Sequence, residues 1–119
     1  MHLDDLRDHC LAQPGATEDL PFGPDTLVFK VGGKMFALAN VEWAEPAVNL
    51  KCDPERAVEL REAYADVAPG YHMNKTHWNT VGLRGDVPGD VVRELVDHSY
   101  ALVVAGLSAR VRAEIGRAN

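Results

Sequence analysis

Five side chains in this sequence have the chemistry to meet an anion or stack on a planar ring: Lys30, Lys51, Lys75, Trp78 and Arg84. Three of them fall in or beside the stretch Pro69–Val81, which holds two of the five histidines, one of the two tryptophans and no acid. An indole on an open surface beside lysines is a stacking platform, with the cations placed for phosphate. The bland alternative is a tryptophan packed under a loop or the terminal tail, as large aromatics commonly are. His72 and His77 have a separation that matches no standard zinc spacing, and no Cys or acid lies near them. A hydrogen-bonding role at a strand end suits them better than metal binding. Lys75 sits where a turn is expected, within reach of an anion or simply solvated.

Catalytic patterns are missing. The chain has no GxSxG, P-loop, GxGxxG or HExxH. Ser99 and Ser108 are its only serines, and its acids lie mainly on helix surfaces with no pair set for acid–base work. The expectation is a protein that is not an enzyme, with no cofactor and no metal.

The elements that must position these residues follow from periodicity. Leu3, Leu6 and Cys10 recur at helical spacing, which predicts a helix over 2–12, ended by Gln13-Pro14-Gly15. Residues 16–26 read as a loop or a short interrupted edge strand, with Phe22 folded inward as a plug. Leu27–Val31 and Lys34–Leu38 flank Gly32-Gly33, the signature of a two-residue hairpin. Regular pairing would set Val31 against Lys34, Phe29 against Phe36 and Leu27 against Leu38. Leu27, Phe29, Phe36 and Leu38 would then face the core, and Val28, Lys30, Met35 and Ala37 the other side. Residues 47–52 form a third strand, with Val48, Leu50 and Cys52 pointing inward and Asn49 and Lys51 outward. Asp53-Pro54 opens a helix to about 64 or 65, with Ala57, Leu60 and Tyr64 inward. Strands are expected at 71–73 and 78–83, joined by Asn74-Lys75-Thr76. Alternation turns Val81 and Leu83 to the core and Trp78 and Thr80 outward. A last helix runs from Pro88 to Ala105, with Gly106 after it, and the tail bearing Arg110, Arg112 and Arg117 is partly helical. The order α-β-β-β-α-β-β-α gives an α+β fold, a two-layer sandwich of antiparallel sheet with helices on one face.

With 119 residues, the chain is sized for one domain. Net charge is −6, against the basic balance usual for nucleic-acid binders. The charges are unevenly spread. Residues 26–41, 47–52 and 71–85 carry five bases and no acid, and each long helix is net acidic. The open sheet face would therefore be positive, although strands in general also disfavour Asp and Glu. Cys10 and Cys52 read as buried free thiols. No apolar run is long enough for a membrane span, and the acidic helical start is unlike a secretory signal. The expected setting is the cytoplasm, with no membrane partner.

Pro69-Gly70-Tyr71-His72-Met73-Asn74-Lys75-Thr76-His77-Trp78 resembles the MmcQ/YjbR family, as do Gly85–Pro88 and Asp97-His98-Ser99-Tyr100. Lys34-Met35-Phe36-Ala37 and Leu50-Lys51-Cys52-Asp53-Pro54-Glu55 extend the likeness over nearly the whole chain. The resemblance implies a two-layer α+β fold related to secretion-chaperone-like and CyaY-like architectures. It places the family signature on Lys34, Lys51, Tyr71, His72, Asn74, Lys75, His77 and Trp78. Such proteins are commonly described as DNA-binding through a double-winged surface.

Two functions are expected on these grounds. The first is a small binding domain whose sheet face docks nucleic acid, weakly or with strong salt dependence, through Lys30, Lys51, Lys75, Trp78 and Arg84. The second is a protein-interaction module of the chaperone or adaptor type, using the same face with Trp78 and Met35 as anchors. A small-ligand or enzymatic site around His72, His77 and Trp78 ranks behind both.

Overall fold

A computed structural model describes residues 1–117, excluding the side chain of Arg117. Gly32 and Gly33 have φ of 58° and 80°, left-handed values that let two residues reverse the chain. They join β2 (Thr26–Val31) to β3 (Lys34–Asn40), and Val31 pairs with Lys34. The regular register then breaks. A shift between Phe29 and Lys30 sets Phe29 opposite Ala37 rather than Phe36, and Leu27 opposite Ala39 rather than Leu38. One extra residue in a strand inverts the alternation beyond it. Ala37 and Ala39 are thereby buried against the helices while Phe36 stays in the core. Leu38, expected inside, pairs with Val28 on the opposite face. The bulge gives the helical layer small side chains to pack on and keeps both phenylalanines in the core.

The sheet has six antiparallel strands in the order β1-β2-β3-β4-β6-β5. β1 is Thr17–Asp19, β4 is Ala47–Lys51, β5 is Val67–Pro69 and β6 is Trp78–Gly82. The helices are α1 (Leu3–Leu11), α2 (Pro54–Ala63), α3 (Gly89–Ala105) and α4 (Ala109–Arg117). α3 lies across β2, β3 and β4, with α1 packed on α3 and α2 on β5. Val92, Leu95, Val96, Ser99 and Val103 form its buried stripe. Asp53 caps α2 by accepting from the Arg56 amide, and Pro54 occupies the first turn. The α+β class, the antiparallel sheet and the helical layer stand as expected.

Three expectations need correction. The strand predicted at 71–73 lies earlier, at Val67–Pro69, and residues 70–77 form a loop. His72 has φ 58°, which a strand cannot accommodate. Phe22 is 69 % exposed rather than an inward plug. A turn closed by Gly23 N–H donating to the Leu20 carbonyl carries it beyond the sheet edge to the rim of the open face. Finally, the edge strand allowed for at 16–26 does form, and it brings Glu18 and Asp19 into a sheet expected to carry no acid. The bare-of-acid sheet inferred from the other strands does not exist.

Candidate functional site

The face away from the helices is organised by two polar side chains, Asn49 and Thr80. Asn49 on β4 is buried, and its Nδ2 donates to the Tyr71 carbonyl at 3.0 Å. Its Oδ1 accepts from the Thr80 hydroxyl at 2.6 Å, and that hydroxyl accepts from the Tyr71 amide at 2.9 Å. Both backbone groups of Tyr71 are thus held by side chains that cross the sheet. The 70–77 loop is pinned from the helical side too. Arg61 of α2 donates to Asn79 Oδ1 at 2.7 Å, to the Trp78 carbonyl at 3.4 Å, and also to the Lys75 carbonyl. Asn74 closes the turn by accepting from the Thr76 amide with its side chain and from the Trp78 amide with its carbonyl. The His77 carbonyl accepts from the Cys52 amide at 2.8 Å.

This scaffold presents Tyr71 and His72. Tyr71 is 56 % exposed. Its ring stands edge-on to Trp43, centroids 6.3 Å apart, and lies 4.0 Å from the His72 ring. Left-handed backbone at a non-glycine residue costs energy and clusters at sites that bind, and histidine tolerates it better than most. Trp43 comes from the β3–β4 connection.

The Trp43–Tyr71 pair divides the open face into two grooves. The larger, about 480 Å³, is walled by Pro46, Pro69 and Ala68 and edged by Glu45, Asp66 and Arg84. The smaller, about 340 Å³, is lined by Phe22, Met35, Leu38, Met73 and His72, over Asn49. Both fall within the size range of ligand and side-chain pockets. Asp86 holds Ala65 and Asp66, two residues that line the larger groove. Its carboxylate accepts from the amides of Ala65 and Asp66 at 2.8 and 2.9 Å, which holds it below the usual carboxylate range.

The sequence-predicted cations are not brought together. Lys51 pairs with Trp78 across β4 and β6 on the open side. Arg84 lines the larger groove. Lys75 turns back, its Nζ 3.4 Å from the Gly70 carbonyl, and Lys30 sits 3.4 Å from the Asp19 carboxylate. Lys34 is exposed at the hairpin turn. Of the signature positions, Asn74 and His77 tie the loop through their hydrogen bonds, while Tyr71 and His72 are the side chains it displays. Trp43, Asn49, Thr80, Arg61 and Asp66 were missed. Only Asn49 and Thr80 carried a signal, as outward polar residues on strands. Among the described residues, no three His, Cys, Asp or Glu side chains group as for a metal.

The loop, its signature and the fold can be set beside known proteins. The model of the YjbR family matches residues 11–102. The chain belongs to the YjbR family. It is 38% identical over 104 residues to the uncharacterized protein YjbR of Escherichia coli, covering 87% of this chain and 88% of that one. The uncharacterized protein YbdF of Escherichia coli is 42% identical over 90 residues, covering 76% and 74%. The crystal structure of Deinococcus radiodurans protein DR2400, of the DUF419 domain family, superposes with TM-score 0.89 at 45% identity, over 96% of this chain and 87% of that one. A Pseudomonas syringae protein superposes with TM-score 0.76 at 28% identity, over 86% and 98%. These YjbR relatives carry no stated activity, so function must be argued from the open face. No described helix is long and apolar enough to cross a membrane.

Proposed function

We propose that this YjbR protein is a non-enzymatic binding module of the adaptor type, whose open sheet face docks a segment of a partner protein. The observation that carries the proposal is the exposed Tyr71 ring set edge-on to Trp43 between two grooves. Tyrosine and tryptophan in desolvated pockets dominate protein-interface energetics. Met35 and Met73 supply adaptable walls in the smaller groove. Phe22 extends the apolar surface outward. The cations on this face are dispersed: Lys30 is paired with Asp19, Lys75 turns back to the Gly70 carbonyl, and Arg84 shares its groove with Glu45 and Asp66. The unpaired buried thiols Cys10 and Cys52 support a cytoplasmic setting.

A second reading rests on one corner. Lys51 lies opposite Trp78, and among the described residues no acid comes within 4.0 Å of its ammonium. With Lys75 from the adjoining loop, that corner would stack and neutralise a nucleic-acid strand, and Arg84 at the far end of β6 would meet the strand separately.

The two are separated by retention from cell extract and by gel shift, across salt from about 0.05 to about 0.5 M. The adaptor role predicts a protein held by the wild type at high salt and released by the Trp43→Ala, Tyr71→Ala double variant. Oligonucleotide binding that falls steeply with salt and vanishes in Lys51→Glu, Lys75→Glu, with no Tyr71-dependent protein retained, would replace it with the second reading.

A further inference from the structure

We infer that the larger groove is a subsite for a lysine or arginine side chain of the partner segment, next to an apolar side chain in the smaller groove. This rests on the adaptor reading and names what the partner must carry.

The argument begins with Asp66. It follows α2 and leads into β5, and its backbone is fixed at both ends: its amide donates to Asp86, and its carbonyl accepts from Gly82 at 2.9 Å. Its carboxylate lies over two glycines. A Cβ built on Gly82 would fall 1.6 Å from one carboxylate oxygen, and on Gly85 2.1 Å. A side chain at either position would force the carboxylate to shift. Both glycines therefore leave room for a charge to lie flat against the open face.

That charge has no counter-ion. Among the described residues, Asp66, Glu45 and Arg84 form no ion pair within 4.0 Å. Two acids against one base leave the groove negative, in a molecule whose net charge is −6. Trp43 and Tyr71 line the same groove, and aromatic rings attract a cation and bury the aliphatic stem that carries it. Carboxylates and aromatic rings lining one groove are the chemistry that recognises an ammonium or guanidinium. The smaller groove across the same rings is different. Its lining contains no Asp, Glu, Lys or Arg, and Phe22, Met35, Leu38 and Met73 supply its apolar surface. One segment spanning the Trp43–Tyr71 divide would place an apolar residue in one groove and a basic residue in the other.

A displayed library of random twelve-residue peptides, selected on the full chain and counter-selected on Tyr71→Ala, tests this. The expected Tyr71-dependent binders combine a large apolar residue with a nearby Lys or Arg. Replacing that base by Gln in the best peptide should weaken binding about tenfold to the wild type and less than about twofold to Asp66→Asn or Glu45→Gln. Both protein variants are checked for a wild-type thermal transition, and either one suffices. Tyr71-dependent binders without a basic residue, or with a base indifferent to both acids, overturn the cation subsite and leave the adaptor face standing. A library yielding no Tyr71-dependent binder overturns both.

Discussion

The Ser99 hydroxyl, buried on α3, donates to the Phe36 carbonyl and accepts from the Lys51 amide, at 2.6 and 2.9 Å. Those two groups lie where the β3–β4 ladder stops after the Ala37–Leu50 pair. One side chain from the helical layer thus replaces a missing rung. Ser99→Ala leaves both backbone groups without that partner and should cost about 2–4 kcal/mol in denaturant unfolding. A loss under about 0.5 kcal/mol would mean that water replaces the hydroxyl. Its neighbour His98 has a different duty. Its Nε2 accepts from the Asp53 amide at 3.2 Å, so the ring serves in its neutral form at the start of α2. Burial, and then Arg56, lower its pKa from the ordinary 6.5. Between the lowered folded value and 6.5 the unfolded chain binds the extra proton. Stability from this group is therefore complete above 6.5 and is lost as pH falls through the folded pKa. Thermal melts of His98→Gln should show a shallower decline than wild type on acidification below 6.5. Parallel curves would exclude the ring as the titrating group. The helical spacing of Val92, Leu95, Val96, Ser99 and Val103 is legible in the sequence, but the bond from Ser99 to a β-strand carbonyl depends on a ladder break that no local pattern encodes.

At the scale of elements, the 70–77 loop is a connection made rigid by α2. Arg61 ties it through Asn79, Lys75 and Trp78, and Asn79 itself donates to the Ala57 carbonyl at 3.2 Å. Arg61→Met keeps most of the stem and removes the guanidinium. It should lower stability by about 1–3 kcal/mol and speed amide exchange at 71–77, while the β2–β3 amides keep their protection. Exchange that accelerates equally in β2 and β3 would show that the loop is not a separate unit. The strand expected at 71–73 fails for the same physical reason. Pro69 cannot donate to a ladder, and the His72 backbone turns left-handed, so the paired strand ends at Pro69, one backbone bond follows from the Gly70 amide to the Trp78 carbonyl, and side chains then hold Tyr71. The hairpin register failed through the bulge. Gly32-Gly33 determines only the first pair, whereas the fit of Ala37 and Ala39 under α3 determines the rest. Turn chemistry and alternation were legible because they are local. The bulge, the Trp43 placement and the Arg61 ties were not, because each depends on a partner distant in the chain.

Across the whole molecule, the two faces of the sheet differ in what water can reach, and the two thiols report on one of them. Cys10 lies in the core formed by α1, α3 and the sheet, and Cys52 follows β4 beneath the helical layer. Burial pushes the Cys10 thiol up to about 12, with Asp97 adding to it, and burial is also the main cause raising Cys52. A thiol with that pKa offers almost no thiolate near neutrality, and its sulfur is sterically covered as well. Charge composition could not reveal this division, since Asp19 joins the sheet from a segment that reads equally as a loop or an edge strand. Thiol labelling can. Alkylation at mildly alkaline pH should leave both native cysteines unmodified until the fold opens, and both should then react at one shared rate set by global unfolding. A cysteine placed at Met35, on the groove side of β3, should react at once in the folded protein. Earlier labelling of Cys52 than of Cys10 would mean that the β4–α2 junction opens by itself. The helical layer would then be two cooperative units, and α2, which anchors the Tyr71 loop through Arg61, would be free to move with whatever binds the open face.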